Sequence, residues 1–313
     1  MNLPTPEDTT NSNREALLAI CLFAAFSDGD KSESERAQIA NIAEELESNN
    51  LAEISRKILM GKVSIESVVG ELDSQQSRLL AYEMARAICE AGGSITTLEQ
   101  EFLTRLRAAL ALTVDESKAV DDEVDALSLA PVAQEGAPQS AVDNSSMILK
   151  YSILNGALEL LPETFATMAI IPMQMKMVYR IGKTHGVEQD RSLIKEFLAT
   201  AGVGFGSQVV EGFARKLIGN FGKKLGGKTA GKIANEATGS AFSFASTYAI
   251  GHLAEKYHSG GKRLAGPEMK GLFKSLTEQA SSLHAQYLPA IQERAKTLNA
   301  ASILAMVRGK DQV

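Results

Sequence analysis

Apolar residues recur along the first third of this chain at helical spacing. From Arg14 onward, Leu17, Leu18, Cys21, Ala24 and Ala25 share one face, and a polar turn follows at Ser27-Asp28-Gly29-Asp30. A second stripe holds Ile39, Ile42, Ala43 and Leu46. Shorter helices are expected over 51–60 and 65–72, the latter capped by Ser64. A longer one over 75–90 presents Leu80, Met84, Ala87 and Ile88, and another over 97–112 presents Phe102, Leu103, Leu106 and Leu110. Residues 1–13 are polar and acidic, so they read as disordered, with no secretory signal. Two stretches match at an offset of 64 residues: Ala24-Ala25-Phe26-Ser27-Asp28-Gly29 and Ile88-Cys89-Glu90-Ala91-Gly92-Gly93. Glu35 and Glu99 follow at equal distances, as do Ile39 and Leu103. This predicts a helix–turn–helix unit used twice in a pseudo-symmetric bundle.

The pattern then fades. Residues 113–146 carry Asp121-Asp122-Glu123, then Pro131, Gly136 and Pro138 among small polar residues, which is a linker composition with a helical start near 115–127. Helical spacing resumes near Met147. Pro162 ends one helix, and Pro172 fits the first turn of another that carries Met173, Met177 and Ile181. Helices are expected over about 190–218, 230–257, 268–286 and 289–306, with a glycine-dense stretch between 200 and 231. The expected fold is all-α: an N-terminal bundle with a pseudo-repeat over 14–112, an acidic linker over 113–146, and a glycine-rich helical hairpin module over 147–313.

Composition agrees with helices. The chain is 44% hydrophobic but only 5% aromatic and lacks tryptophan, so its core rests on Leu, Ile, Val, Ala and Met. The two cysteines, Cys21 and Cys89, lie on apolar helical stretches and read as reduced thiols. Charge changes the picture more. Residues 1–112 hold 18 acids and 10 bases, net −8. Residues 113–146 hold 8 acids and Lys118 alone, net −7, and residues 147–313 hold 12 acids and 21 bases, net +9. Such asymmetry bears on partner choice rather than fold.

Four features carry candidate chemistry. Asp28 and Asp30 on a tight turn, with Glu33 and Glu35 beyond, could hold a divalent cation such as calcium. The spacing departs from an EF-hand loop, since position 6 is Glu33 and position 12 is Ile39. Ser32-x-x-Glu35 and Thr96-x-x-Glu99 both also read as capping boxes. The stretch Phe26-Ser27-Asp28-Gly29-Asp30 through Glu35-Arg36, with its degenerate repeat at 88–103, resembles the TerB-like (tellurite resistance) domain over roughly 14–112. The resemblance implies an all-helical bacterial bundle, fused to other modules, with Asp28 and Glu35 as metal candidates and Asp30 and Glu33 behind them.

Second, Gly222-Lys223-Lys224-Leu225-Gly226-Gly227-Lys228-Thr229 satisfies the phosphate-loop pattern, with Lys228 for phosphate and Thr229 for magnesium. That site needs a preceding strand, whereas Gln208–Phe221 reads as helix, so a nucleotide hydrolase is the lesser alternative. Third, Arg215, Lys216, Lys223, Lys224, Lys228 and Lys232 form an acid-free basic run suited to an anionic membrane or protein surface. Nucleic acid is not the expected partner, because the run lacks aromatics for base stacking and the chain as a whole is acidic. Fourth, Ala237–Ala254 is an uncharged stretch of 18 residues, near the shortest length that spans a bilayer; its serines and threonines favour a closely packed, buried helical hairpin, with membrane insertion or peripheral docking as the alternative. His252 and His258 fall on different helix faces, and His185 is expected near a helix end.

Ile171-Pro172-Met173-Gln174-Met175, then Ile181-Gly182 and Gly186, then Thr247-Tyr248-Ala249-Ile250-Gly251 and Tyr257, look like the YcjF-like domain of unknown function over about 147–265. That resemblance implies bacterial membrane association, although the chain lacks the clear membrane-spanning helices and the GTPase domain that accompany such domains. The combined expectation is a non-catalytic adaptor, cytoplasmic or peripheral at the inner membrane. It would link a protein partner, in a cation-dependent way, to a membrane or protein surface. A metal-stress cation-binding protein is the alternative.

Overall fold

The computed structural model describes residues 11–27, 53–54, 56–58, 60–91, 95–128, 144–161, 164–203, 230–261 and 264–308. Among them every regular element is a helix: α1 (Asn11–Ala25), α2 (Ile65–Val69), α3 (Gln75–Ala91), α4 (Thr97–Ala109), α5 (Val114–Ser128), α6 (Asn144–Leu158), α7 (Thr164–Met168), α8 (Ile170–Thr184), α9 (Arg191–Thr200), α10 (Ala230–Ser259), α11 (Gly266–Thr297) and α12 (Ala300–Val307). The fold is all-α. Residues up to Ser128, with 164–167 and 230–235, belong to one compact unit. Residues 144–161, 168–203 and those from Glu236 onward belong to a second.

In the first unit α3 is the axis, with α1, α4 and α5 packed around it. The expected stripe of Leu80, Met84, Ala87 and Ile88 is buried, but so is every other residue from Leu79 to Cys89, because helices cover α3 on several sides. Helix α1 starts at Asn11, earlier than the polar composition of 1–13 suggests. Its first turn is held by partners distant in sequence: Asn13 Nδ2 donates to Asp73 Oδ1 at 2.6 Å, and Asp73 N returns a bond to Asn13 Oδ1 at 3.1 Å. Ser64 caps α2 as expected, and Thr96 caps α4.

The helical start foreseen for the acidic stretch is α5, and it is docked rather than free. Val120 and Val124 are buried in its packing against α3. Arg86 of α3 reaches Asp121 at 3.2 Å and Asp125 at 2.6 Å, while Glu90 on its own helix lies at 2.9 Å. Burial opposes the Arg86 charge, but Glu90, Asp125 and Asp121 outweigh that and raise its value.

In the second unit α6 packs against α8 and α11. Ala157 of α6, Phe244 of α10 and Ile291 of α11 form one of its buried apolar clusters. Glycines permit two close helix contacts. A Cβ on Gly156 would lie 3.3 Å from both Ser240 Oγ and Ile291 Cδ1, and one on Gly251 would lie 2.7 Å from Ile148. Pro172 sits in the first turn of α8, where its missing N–H costs nothing. Two boundaries differ from expectation. The helix begun at Asp190 ends at Thr200, because Gly202 turns the chain with φ +84°. Helix α11 runs through Pro289 instead of stopping before it. Pro289 and Ala285 are both exposed, so water can reach the carbonyl that the proline leaves unpaired. The break comes at Leu298 and Asn299, both extended, after which Asn299 caps α12 by accepting from Ser302 N at 2.9 Å. Ile303, Met306 and Val307 then bury themselves, at about 1.5–3 kcal/mol for each fully buried side chain.

Candidate functional site

Most residues that the sequence marks for chemistry lie outside the described residues: Asp28, Asp30, Glu33, Glu35, Arg215, Lys216, Gly222, Lys223, Lys224, Gly227, Lys228 and Thr229. Lys232 is in α10, with its side chain outside the description. The repeat partner of Glu35 is visible. Glu99 Oε2 accepts from Thr96 N at 2.8 Å and Thr96 Oγ1 at 3.0 Å, and Glu99 N donates back at 3.2 Å. In this copy the glutamate is therefore a helix cap. Among the described residues no three His, Cys, Asp or Glu side chains group to hold a metal ion, and no helix is long and apolar enough to cross a membrane. Ala237–Ala254, the uncharged stretch, lies within α10, where Ser240, Ser243, Ser246 and Thr247 are buried.

Three polar arrangements in the second unit join residues far apart in sequence. In the first, Ser240 Oγ of α10 lies 3.1 Å from His284 Nε2 of α11. That is the spacing of a nucleophile and its base. Ser240 is fully buried, however. Burial also pulls His284 below its ordinary value, and its ring meets Phe244 edge-on at 5.8 Å. The pair works as a buried hydrogen bond between two helices.

The second arrangement lies where α6, α8 and α10 meet. Asn155 Nδ2 and Gln174 Nε2 both donate to Thr247 Oγ1, at 2.9 and 3.1 Å. All three side chains are fully buried, and neither Asn155 Oδ1 nor Gln174 Oε1 has a hydrogen-bond partner among the described residues. Nearby in sequence, Lys176 is 1% exposed and donates from Nζ to the Met306 carbonyl at 2.9 Å. Burial brings this ammonium down to about 8. Its acceptor belongs to the last turn of α12, the negative end of that helix.

The third is more open. His185 caps the C-terminus of α8, as the sequence suggested, and its Nε2 lies 2.9 Å from Glu255 Oε1 of α10. Glu255 Oε2 accepts from Asn144 Nδ2, at the first residue of α6, and that amide also donates to Thr184 Oγ1 at 2.8 Å. His258 stacks near His185 and Phe197, with ring centroids 6.4 and 6.2 Å away. One glutamate thus ties together the ends of two helices. The sequence signal was faint, because Glu255 stands 70 residues from His185 and 111 from Asn144.

In the first unit, an open groove of about 630 Å³ runs along α4 past Ile95, Thr97, Gln100, Thr104, Arg105 and Ala108. Arg105, the cation among its described lining residues, is paired with Glu66 at 2.8 Å. Compared with models of protein families, with curated proteins and with solved structures, the chain finds no match.

Proposed function

We propose that this chain acts by contact, as a helical adaptor that joins a protein partner to an anionic surface. The first bundle takes the protein partner, in a manner that a divalent cation can modulate through Asp28, Asp30, Glu33 and Glu35. The basic run from Arg215 to Lys232 takes the surface, most simply the inner face of a bacterial membrane. The observation that carries this reading is the segregation of charge along the chain, net −8 over 1–112 and −7 over 113–146 against +9 over 147–313. The buried polar groups of the second unit fit it as well, since Lys176, Ser240, His284 and Thr247 are all engaged with other helices.

The test is co-sedimentation of the full chain with vesicles. Binding is expected on vesicles rich in phosphatidylglycerol at low salt, with loss at high salt and on neutral phosphatidylcholine, because each basic residue near such a surface contributes about 1 kcal/mol. Lys223→Glu, Lys224→Glu and Lys228→Glu together should abolish it. A chain that stays in the supernatant with every vesicle at every salt concentration would sink the surface-docking half.

A further inference from the structure

Asn155, Gln174 and Thr247 meet where α6, α8 and α10 converge, and the hydrogen bonds they make with one another do not balance. We propose that this junction binds a buried water molecule, which donates its two protons to Asn155 Oδ1 and Gln174 Oε1 and accepts the proton of the Thr247 hydroxyl.

Three observations lead there. First, Asn155 Nδ2 and Gln174 Nε2 both donate to Thr247 Oγ1, at 2.9 and 3.1 Å. A hydroxyl that accepts two hydrogen bonds still has its own proton to give, and among the described residues no group accepts it. Second, Asn155 Oδ1 and Gln174 Oε1 have no hydrogen-bond partner among the described residues, and all three side chains are 0% exposed, so bulk solvent does not serve them. Two acceptors and one donor are thus left over, and leaving such groups unpaired in a core is costly. Water supplies the complement, two donors and an acceptor, and a buried water makes about three hydrogen bonds. Third, turning the amides does not cure the imbalance. Asn155 Nδ2 also lies 3.5 Å from the Ile170 carbonyl, so reversing that amide would set oxygen against oxygen. Reversing Gln174 would let its oxygen take the Thr247 proton, but it would strand the two N–H groups in place of the oxygen. Charge separates water from a metal cation. None of the three side chains bonds to a carboxylate, so a cation here would be buried without a counter-charge. The water joins α6 directly to α8, a link that Asn155 and Gln174 make only through Thr247, which stands 92 and 73 residues from them. The inference is independent of the adaptor reading.

The test is made on the full chain in two ways. A high-resolution crystal structure is expected to show a water within hydrogen-bond distance of Asn155 Oδ1, Gln174 Oε1 and Thr247 Oγ1. In solution, the relaxation dispersion of water ¹⁷O counts waters that stay bound long enough to tumble with the protein. Gln174→Met keeps the side-chain length and removes one of the proposed acceptors, and is expected to lose the amplitude of one such water. Gln286→Met, the same change on an exposed position of α11, should lose none. If Gln174→Met does not fold, the crystal structure of the native chain decides alone. The proposal is overturned if that structure shows the three atoms bonded to one another or to other side chains with no water among them, or if Gln174→Met folds and keeps the native amplitude. It is overturned equally if a sodium or potassium ion occupies the junction, which would appear as a Tm that rises with either salt but not with tetramethylammonium chloride at the same ionic strength.

Discussion

Lys176 and Arg86 show two ways in which a buried cation is accommodated here. Arg86 has three carboxylates around it. Lys176 has a backbone carbonyl, and its value falls to about 8 against about 10.4 for a free lysine. The consequence for stability has a definite sign. Below about pH 8 both folded and unfolded chains hold the Lys176 proton, and the cost of burying it is fully present. Between about 8 and 10.4 the unfolded chain binds more protons, so folding stability rises with pH across that window. Tyr82, pushed up to about 12 by burial beside Asp121, acts in the opposite direction once an unfolded tyrosine begins to ionise near pH 10. Urea midpoints read between about pH 8 and 9.5 should therefore climb for the native chain, and Lys176→Met should flatten the climb. An equal slope in both would mean that another group carries it. Neither cation stood out in the sequence. Each lies on an apolar helical stretch, where a lone charge looks like a solvated edge, and apart from Glu90, four residues from Arg86, the partners arrive from 35 to 130 residues away.

Helices were more legible than single residues, because the 3.6-residue period repeats over several turns and averages out exceptions. The stripe of Leu80, Met84, Ala87 and Ile88 predicted α3, and the hydroxyls of Ser64 and Thr96 marked real caps. Errors arose where a local rule depended on surroundings. Pro289 costs α11 a hydrogen bond and crowds the carbonyl four residues earlier, but Ala285 and Pro289 are exposed, so water can take the place of the lost bond. Glycine is equally dependent on context, which allows a paired test. Gly251→Ala would set a Cβ 2.7 Å from two carbons of Ile148, a stiff β-branched side chain, and 3.1 Å from Met177 Sδ. It is expected to destabilise by about 1–3 kcal/mol despite the gain in helix propensity. Gly271→Ala, in α11 with nothing within 4 Å of the new methyl, should stabilise by about 0.5–1 kcal/mol. Thermal or urea unfolding of the two variants should shift in opposite directions. Shifts of the same sign would mean that the α6–α10 contact is looser than these distances imply.

For the whole molecule, the all-α class followed from composition and period, and it holds throughout the described residues. The candidate site was legible only as charge. Paired residues such as Ser240 with His284, or His185 with Glu255, depend on how helices lie against one another, which a linear pattern does not encode. Charge is different, since it acts over about 8–10 Å at physiological salt and needs no fixed geometry. This makes the acidic segment a testable part of the proposed adaptor. Its acids Asp121 and Asp125 are engaged by Arg86, but Glu135 and Asp143 lie beyond the end of α5 at Ser128. If those acids compete with an anionic membrane for the basic run, removing them must tighten vesicle binding without touching a lysine. Glu135→Gln with Asp143→Asn is expected to bind phosphatidylglycerol vesicles several-fold more tightly at low salt, with the difference vanishing at about 0.5 M salt as screening shortens the interaction. Tighter binding that persists at high salt would point to a contact other than charge. No change at low salt would show that the acidic segment and the basic run act independently, and that their opposite charges serve different partners.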